Sequence, residues 1–250
     1  MCSSTETTVF SHSILPNTVA LTFDDGPISN SRLQSEVVQI LEKRQVRATF
    51  YLVGKNAEQR GEDVLRLARS SYAMIGTHTY SHADLSFCQS AEDVKTEIEK
   101  GISAIQAITG QRQVYKQVDL CTKSSFFSYL HFRPPYYSLD RFDYVTKRSG
   151  LTVSYLPDVD VQDWLIDHQV RTGMAKSEPA VKAQVLQIRI RRLLEDWFES
   201  EREVPSCGHV YGGHDRNLIF AGLHDLIDFF KEKGFKFVGM DEATGKPEFQ

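Results

Sequence analysis

The sequence predicts an α/β protein in which helices cover a mostly parallel sheet. Short apolar runs alternate along the chain with stretches whose apolar residues have helical spacing. The 250 residues are 41% hydrophobic and 25% charged, which is the composition of a globular protein with a sizeable core. Because strands that alternate with helices favour parallel pairing, a (β/α) barrel is our leading interpretation, and an open doubly wound sheet is the alternative.

The first part of the chain predicts the order βαβαβ. The run 17–23 is apolar and β-branched and stops at an Asp-Asp-Gly-Pro turn, as a buried strand does. The next elements are predicted as helices at 31–43 and 57–68 and strands at 48–53 and 73–76. A further helix begins at Ser90, where Asp93 completes a capping box, and ends at Gly110.

The second half continues the alternation with less regular spacing. We predict strands at 131–133, 152–154, 209–211 and 235–238, and helices at 139–148, 179–199 and 221–233. The stretches 113–130 and 166–180 are longer than the architecture needs, and we interpret both as loops, the first as an insertion. No Gly/Ser-rich or Pro-rich linker divides the chain, so residues 1–250 are expected to form a single domain.

Composition argues against several classes of partner. The formal net charge is −4 and basic residues are interleaved with acidic ones, so we expect no nucleic-acid partner. No apolar run approaches the roughly 20 residues that cross a bilayer, so no transmembrane segment is predicted. The N-terminal segment lacks the basic and apolar regions of a secretory signal, so the sequence as given predicts a cytoplasmic protein.

Residues capable of chemistry follow the strands, where the active sites of such folds gather. Asp24 and Asp25 follow the first strand. Two buried carboxylates of like charge need a cation or metal nearby, although Asp-Asp-Gly is also a common turn sequence. His78 and His82 follow the third strand, and their spacing can bring two imidazoles to one metal on a helical turn or in a tight loop. One aspartate and two histidines with an open position are typical of a catalytic zinc site.

Five motifs occur in the order found in one known family. They are T-F-D-D-G-P at 22–27, H-T-Y-S-H at 78–82, R-P-P-Y at 133–136, D-V-Q-D-W at 160–164 and G-G-H-D at 212–215. With them the chain resembles the polysaccharide deacetylase family from about Val19 to Val238. This family, also called NodB-homology or carbohydrate esterase family four, includes chitin deacetylases. The resemblance implies a distorted (β/α) barrel and a hydrolase that removes N-acetyl groups.

The resemblance also implies a role for each matching residue. Asp25, His78 and His82 would bind one divalent metal, zinc above all, with cobalt or nickel as alternatives. Asp24 would be the general base, because a carboxylate beside an acidic water can take its proton. Arg133 would pair with this base, although an arginine before Pro-Pro can also brace a loop by a salt bridge.

A second group of residues would handle the leaving group and the sugar. His214 would be the general acid that protonates the departing nitrogen, and Asp163 would orient it. The backbone N–H of Tyr136 would stabilise the oxyanion, and Trp164 would form an apolar wall of the sugar groove. Tyr136 and Tyr137 would also contact the substrate, the latter by adding bulk at the mouth of the site.

Two positions depart from the family pattern. Two residues before the acid histidine the family usually has a leucine that lines a pocket for the acetyl methyl group, but this chain has Gly212. We expect a roomier, less apolar site there, which Val210 or a residue from another loop fills. Tyr137 stands where many relatives have glycine. The insertion at 113–130 either lines the substrate groove or is an extension without a role, and both stay open.

The expected function is metal-assisted hydrolysis of N-acetyl groups on N-acetylglucosamine units of chitin or chitooligosaccharides, carried out by a monomer. One alternative keeps the site but acts on peptidoglycan, acetylated xylan or a small amide. The other is a carbohydrate-binding relative with little catalysis. Because polymer substrates imply a cell-wall or extracellular setting, in conflict with the N-terminal segment, the location is left open.

Overall fold

In the part of the chain that this computed structural model describes, nine strands form one parallel sheet. The described residues are 8–9, 15–28, 31–110, 115–118, 126–129, 131–138, 152–154, 157, 159–160, 163–173, 179–200, 209–215 and 222–240. The strands are β1 (Thr8–Val9), β2 (Thr18–Gly26), β3 (Ala48–Leu52), β4 (Ala73–Thr77), β7 (His131–Phe132), β8 (Thr152–Ser154), β9 (Val159–Asp160), β10 (His209–His214) and β11 (Lys236–Phe237). Their order is β1-β8-β7-β4-β3-β2-β10-β9, with β11 paired to β2. The predicted parallel α/β fold is confirmed.

Two further strands, β5 (Tyr115–Val118) and β6 (Phe126–Tyr129), form an antiparallel pair apart from the main sheet. They lie within the stretch 113–130, which the sequence predicted as a loop. Tyr115 and Val118 in the first strand and three aromatic residues in the second are residue types that favour extended structure. That the stretch is an insertion with or without a role stays a prediction.

Helices connect the strands and pack against the sheet. They are α1 (Ser31–Arg44), α2 (Gly54–Gln59), α3 (Gly61–Arg69), α4 (Ala91–Thr109), α5 (Asp163–Gly173), α6 (Pro179–Ser200) and α7 (Leu223–Glu232), with 3₁₀ turns at Leu85–Phe87 and Pro135–Tyr137. None of the helices in the described ranges has the length and apolar character needed to span a membrane. The main apolar core joins strand residues such as Phe23 and Phe50, whose rings are 5.4 Å apart, to helix residues such as Leu41 and Ile227.

Strand β2 separates this core from a polar face, because successive residues of a strand point to opposite sides of the sheet. Leu21 and Phe23 join the apolar core and are fully buried. Thr22 and Asp24, which alternate with them, are also buried, at 0% and 3% exposure. The polar face of β2 therefore lies inside the protein, and it carries the candidate site.

Two predictions about helices were wrong. The helix predicted at 57–68 is two helices, α2 and α3, because the backbone of Arg60 leaves the helical region with φ −134° and ψ 44°. The loop predicted at 166–180 is helical over much of its length, since α5 covers its first half, buries Ile166 and packs against α6. The helix predicted at 139–148 lies outside the described residues.

Two strands extend further than their sequences predicted. Strand β2 was predicted to end at residue 23 and β10 at residue 211, but they continue to Gly26 and His214. The two strands pair with each other as far as Asp24 and His214, and this tertiary pairing keeps polar residues extended. By contrast, the local capping box of α4 is confirmed: the N–H of Ser90 donates to Oδ2 of Asp93 at 2.9 Å, and the N–H of Asp93 donates back to the Ser90 hydroxyl at 3.2 Å.

Candidate active site

The carboxyl ends of β2 and β10 bring the predicted base and acid side by side. In the parallel register Asp24 lies next to His214. Asp25 has a left-handed backbone, with φ 69°, and lies at an irregularity in the pairing of β2 with β3. This break interrupts the alternation of the strand, so both carboxylates face the same site. There the charge of each carboxylate acts to raise the pKa of the His78 imidazole.

Asp24 forms a buried ion pair with Arg133. Nη1 of Arg133 donates to Oδ1 of Asp24 at 2.8 Å and to Oγ1 of Thr22 at 2.7 Å, and the guanidinium lies 4.3 Å from the centre of the Tyr51 ring. Burial lowers the pKa of Arg133, but the Asp24 carboxylate raises it, and the net result is above the ordinary value. Neither charge is therefore buried alone. The contact is the one that the resemblance implied, while its part in catalysis stays a prediction.

Asp25, His78 and His82 form a cluster that can hold a metal ion. Their ligand atoms lie within 4.8 Å of one another. Oδ1 of Asp25 is 3.0 Å from Nε2 of His82 and 3.8 Å from Nε2 of His78. Ligand atoms that each lie about 2.0–2.2 Å from one zinc ion are within about 4 Å of one another. The spacing and the mixed oxygen and nitrogen donors therefore fit a single divalent metal.

The protonation of this cluster also suits metal binding. Nδ1–H of His78 donates to the backbone carbonyl oxygen of Arg133 at 2.7 Å, which leaves the lone pair on Nε2 for a metal. Burial lowers the pKa of His78 more than the nearby carboxylates raise it, so the ring is neutral. Burial raises the pKa of the Asp25 carboxyl, but contact with His82 and the charge of His214 hold it below its usual range.

The two histidines lie in a tight loop and not on a helical turn, which resolves the alternatives that their spacing left open. Thr79 and His82 both have left-handed backbones, with φ of 67° and 62°. The N–H of His82 donates to the Thr79 hydroxyl at 3.2 Å. Because such conformations cost on the order of 1–3 kcal/mol each, contacts from outside the loop must maintain them.

Helices α2 and α4 supply these contacts. The first two amides of α2 donate to the carbonyl oxygens of Thr79 and Tyr80, at 2.9 and 2.8 Å. Glu97 of α4 accepts two hydrogen bonds from Ser81, one from its backbone N–H at 2.9 Å and one from its hydroxyl at 3.0 Å. Sequence reasoning missed Glu97, since an acidic residue on the polar side of a helix is ordinary. The charge of this carboxylate makes both bonds stronger than neutral ones.

Replacing Glu97 with glutamine should weaken metal binding without unfolding the protein, because the amide offers one uncharged acceptor to two donors. We expect the affinity for Zn²⁺ to fall about 10- to 100-fold, as is typical when a residue that positions metal ligands by hydrogen bonds is replaced. Competition with a chromophoric chelator measures this. Glu99→Gln is the matched control, because Glu99 is on the same helix and pairs with Lys95 at the surface. Equal affinities in the two variants would contradict the role of Glu97.

His214 is anchored by the fully buried Asp163, the first residue of α5. Oδ1 of Asp163 accepts from Nδ1–H of His214 at 2.6 Å, and Oδ2 accepts from its backbone N–H at 2.8 Å. Burial lowers the pKa of His214, but this hydrogen bond and the charges of Asp163, Asp24 and Asp25 raise it to about 9. His214 is therefore an imidazolium at neutral pH, the form that a general acid needs.

Comparison with known proteins shows the family of the chain. Residues 14–153 match the family described as polysaccharide deacetylase. The chain belongs to the polysaccharide deacetylase family. It is 36% identical to a chitin deacetylase of Colletotrichum lindemuthianum over 92% of this chain and 80% of that protein. It is 32% identical to a bifunctional xylanase/deacetylase of Pseudobutyrivibrio xylanivorans over 90% of this chain and 30% of that protein.

A third relative of this deacetylase-family chain is a peptidoglycan-N-acetylglucosamine deacetylase of Bacillus cereus, 29% identical over 58% of this chain and 46% of that protein. The chain thus spans less than half the length of two of the three relatives. The solved structure of the Colletotrichum lindemuthianum chitin deacetylase has a TM-score of 0.71 at 23% identity, and the match covers 98% of this chain and 93% of that one. A family pseudoenzyme from Bacillus anthracis has a TM-score of 0.64 at 19% identity, with 92% and 66% covered. These likenesses show the predicted distorted barrel fold.

Two exposed aromatic residues lie next to the catalytic candidates of this deacetylase-family site. Tyr136 is 65% exposed, and the centre of its ring is 5.0 Å from that of His82. Trp164 is 47% exposed, and its backbone N–H donates to Asp163 at 2.8 Å. Exposed aromatic rings at this place suit stacking on a sugar. Their contact with substrate, and the oxyanion role of the Tyr136 N–H, stay predictions.

The expectation of a roomier site at Gly212 is wrong. A Cβ on Gly212 would lie 2.8 Å from Cβ of Pro157 and 3.3 Å from the hydroxyl of Tyr137, so a leucine does not fit here. The expectation that another segment fills the space is confirmed, although the residues are Pro157 and Tyr137. Tyr137 was expected at the mouth of the site, but its hydroxyl reaches inward to β10.

Sequence reasoning also missed two buried polar residues beneath the site. Thr22 donates its hydroxyl hydrogen to the carbonyl oxygen of Tyr211 at 2.7 Å and so ties β2 to β10. Oδ2 of the fully buried Asp215 accepts from the N–H of Ile28 and the side-chain amide of Gln34, both at 3.4 Å, and so holds the turn after β2. Thr22 and Asp215 each lie inside one of the five family motifs, and this position was the sequence signal that could have identified them.

Proposed function

We propose that the protein is a metal-dependent hydrolase that removes N-acetyl groups from N-acetylglucosamine units of chitin or chitooligosaccharides. The observation that carries this proposal is the register of β2 and β10, which sets the arginine-paired Asp24 beside the aspartate-held His214. A carboxylate on one side and an imidazolium on the other are the base and acid that amide hydrolysis needs. The Asp-His-His cluster adjoins them.

Each residue then has a defined task. A divalent metal held by Asp25, His78 and His82 would polarise the amide carbonyl and lower the pKa of water. Oδ2 of Asp24 takes the proton of the attacking water, while Arg133 keeps Oδ1 in place. Nε2 of His214 gives its proton to the leaving nitrogen, so that an amine departs and not an amide anion.

Two further contacts assist these proton transfers. Asp163 retains Nδ1–H of His214 throughout, which fixes the direction of the ring. The backbone N–H of Tyr136 donates to the carbonyl oxygen as negative charge develops on it. For the metal itself we propose zinc; cobalt and nickel suit the same donors, and elemental analysis of the purified protein identifies the one present.

Replacing Asp163 with asparagine should lower the upper pH limit of activity. Because the pKa of His214 is raised to about 9, its protonated form dominates below that pH and is lost as the pH rises through it. The asparagine oxygen can still accept from Nδ1–H of His214, but the second acceptor and the carboxylate charge are lost, so the fall in kcat moves to lower pH. A pH profile of kcat over about pH 6 to 10 measures the shift.

The matched control is Asp196→Asn. Asp196 and Trp197 form a second Asp-Trp pair on α6, in which Asp196 is exposed while Trp197 packs against the core. This variant should keep the wild-type profile. An unchanged upper limit in Asp163→Asn would show that His214 is not the group that titrates.

Chitooligosaccharides are the proposed substrate, since the relative at 36% identity carries the name chitin deacetylase and 80% of its length is covered. Peptidoglycan fragments and acetylated xylan are the alternative substrates, because one relative is named peptidoglycan-N-acetylglucosamine deacetylase and another is named bifunctional xylanase/deacetylase. Acetate release from all three substrates, at equal concentration of acetyl groups, separates them. Faster acetate release from peptidoglycan fragments or acetylated xylan would make that polymer, and not chitin, the proposed substrate. Saccharide binding without acetate release at any pH would favour a carbohydrate-binding protein.

A further inference from the structure

Tyr137 crosses the polar face of the sheet directly beneath the proposed base and acid. On this face Thr22 and Asp24 of β2 pair in register with Gly212 and His214 of β10. Residues two apart on a strand share a face, so the four form two layers. The outer layer carries the base and the acid, and the inner layer consists of the threonine and the glycine.

Tyr137 lies against the inner layer. The centre of its ring is 5.8 Å from the guanidinium carbon of Arg133, which forms the ion pair with Asp24. Its hydroxyl is 3.3 Å from the place that a Cβ on Gly212 would take. The side chain thus runs from the arginine to β10, one layer deeper than Asp24 and His214.

Pro157 closes the same space from the other side. It is buried, and its Cβ is 2.8 Å from the Cβ position of Gly212. It lies shortly before β9, which pairs with β10 at Gly212. Tyr137 is fixed by a left-handed backbone, with φ 54°, and by a hydrogen bond from its N–H to the carbonyl oxygen of Pro134 at 3.1 Å. Together the two side chains form the floor of the site.

A substrate amide that reacts here places its carbonyl carbon between Asp24 and His214. The sugar that carries this amide is part of a polysaccharide and stays on the solvent side. The acyl group therefore points inward, toward the floor formed by Tyr137 and Pro157. We propose that Tyr137 and Pro157 form the inner wall of the acyl site and restrict the acyl group to acetyl. The proposal rests on the deacetylase function above and adds which acyl group that function selects.

The test compares chitooligosaccharides that carry N-formyl, N-acetyl or N-propionyl groups. Tyr137→Ala removes the wall, and the ratio of kcat/KM for acetyl over propionyl should fall at least about 10-fold, because one methylene in a closed pocket changes this ratio about 10- to 200-fold. Tyr137→Phe is the matched control, since it keeps the ring and should keep the wild-type ratio. The ratio is the readout because a general loss of activity leaves it unchanged.

Pro157→Ala opens the same space without altering Tyr137 and should also lower the ratio, which keeps the test decisive if one variant fails to fold. A wild-type ratio in folded Tyr137→Ala and Pro157→Ala would overturn the proposal while leaving the deacetylase function intact. If the wild-type protein releases no acyl group from any of these substrates, the proposed function fails and the acyl-site proposal falls with it.

Discussion

Replacing Asp24 with asparagine should lower kcat for acetate release by about 10²- to 10⁴-fold, the range expected when a general base is lost. The amide oxygen of asparagine can still accept the hydrogen bond that Arg133 donates, so the buried guanidinium keeps a partner. The amide cannot take a proton from water. The fold and the metal content should therefore stay, with a lower Tm because the buried guanidinium loses its counter-charge, while the chemical step slows. Acetate release at saturating substrate, together with Tm and metal analysis, measures this.

Asp225→Asn is the control for this variant, because Asp225 is exposed in the first turn of α7. It should retain the kcat and Tm of the wild type. If Asp24→Asn kept wild-type turnover, the base would have to be another group. If it lost its metal as well, Asp24 would act through the metal site, and the separation of base from ligand proposed here would be wrong.

Replacing His78 with alanine should remove the metal and the activity together. His78 is 2% exposed and supplies one of only three protein side chains in the described metal cluster, so two ligands remain. A catalytic zinc site needs three protein ligands to retain the ion. After dialysis we expect metal analysis to find about one ion per wild-type chain and close to none in the variant, consistent with such a three-ligand site.

A chelator gives a second measurement of the same dependence. It should abolish acetate release by the wild type, and added Zn²⁺ should restore the wild type but not His78→Ala. His168→Ala is the control, since His168 is exposed on α5. A His78→Ala protein that binds metal stoichiometrically and turns over normally would exclude the Asp-His-His site.

Much of the fold was predictable because its signals are local. The run 17–23 and the capping box at Ser90 each depend on a few neighbouring residues, and both elements are present. The split of the helix predicted at 57–68 was missed, since it depends on how Arg60 is placed between α2 and α3. Helix α5 was missed because its polar sequence buries Ile166 only when α6 is in place.

The same distinction applies to the candidate site. Asp25, His78 and His82 were predicted together because each follows a strand of a parallel sheet, whose carboxyl ends lie at one edge, and because each matches a family motif. The structure brings them within 4.8 Å. Glu97 was not predicted, because its contact with Ser81 joins a helix to a loop 16 residues earlier, and no local pattern marks such a contact.

The sequence by itself determined the family, the parallel α/β architecture and the identity of the residues with the chemistry of a base, an acid and metal ligands. Tertiary structure alone decided how those residues are held: the register that sets Asp24 beside His214, and the strained loop that carries the histidines. It also decided that Gly212 leaves room for Tyr137 and Pro157 and does not open a larger pocket. The reason is physical, since residue type fixes the chemistry of a side chain, whereas the volume around it depends on chain segments distant in sequence.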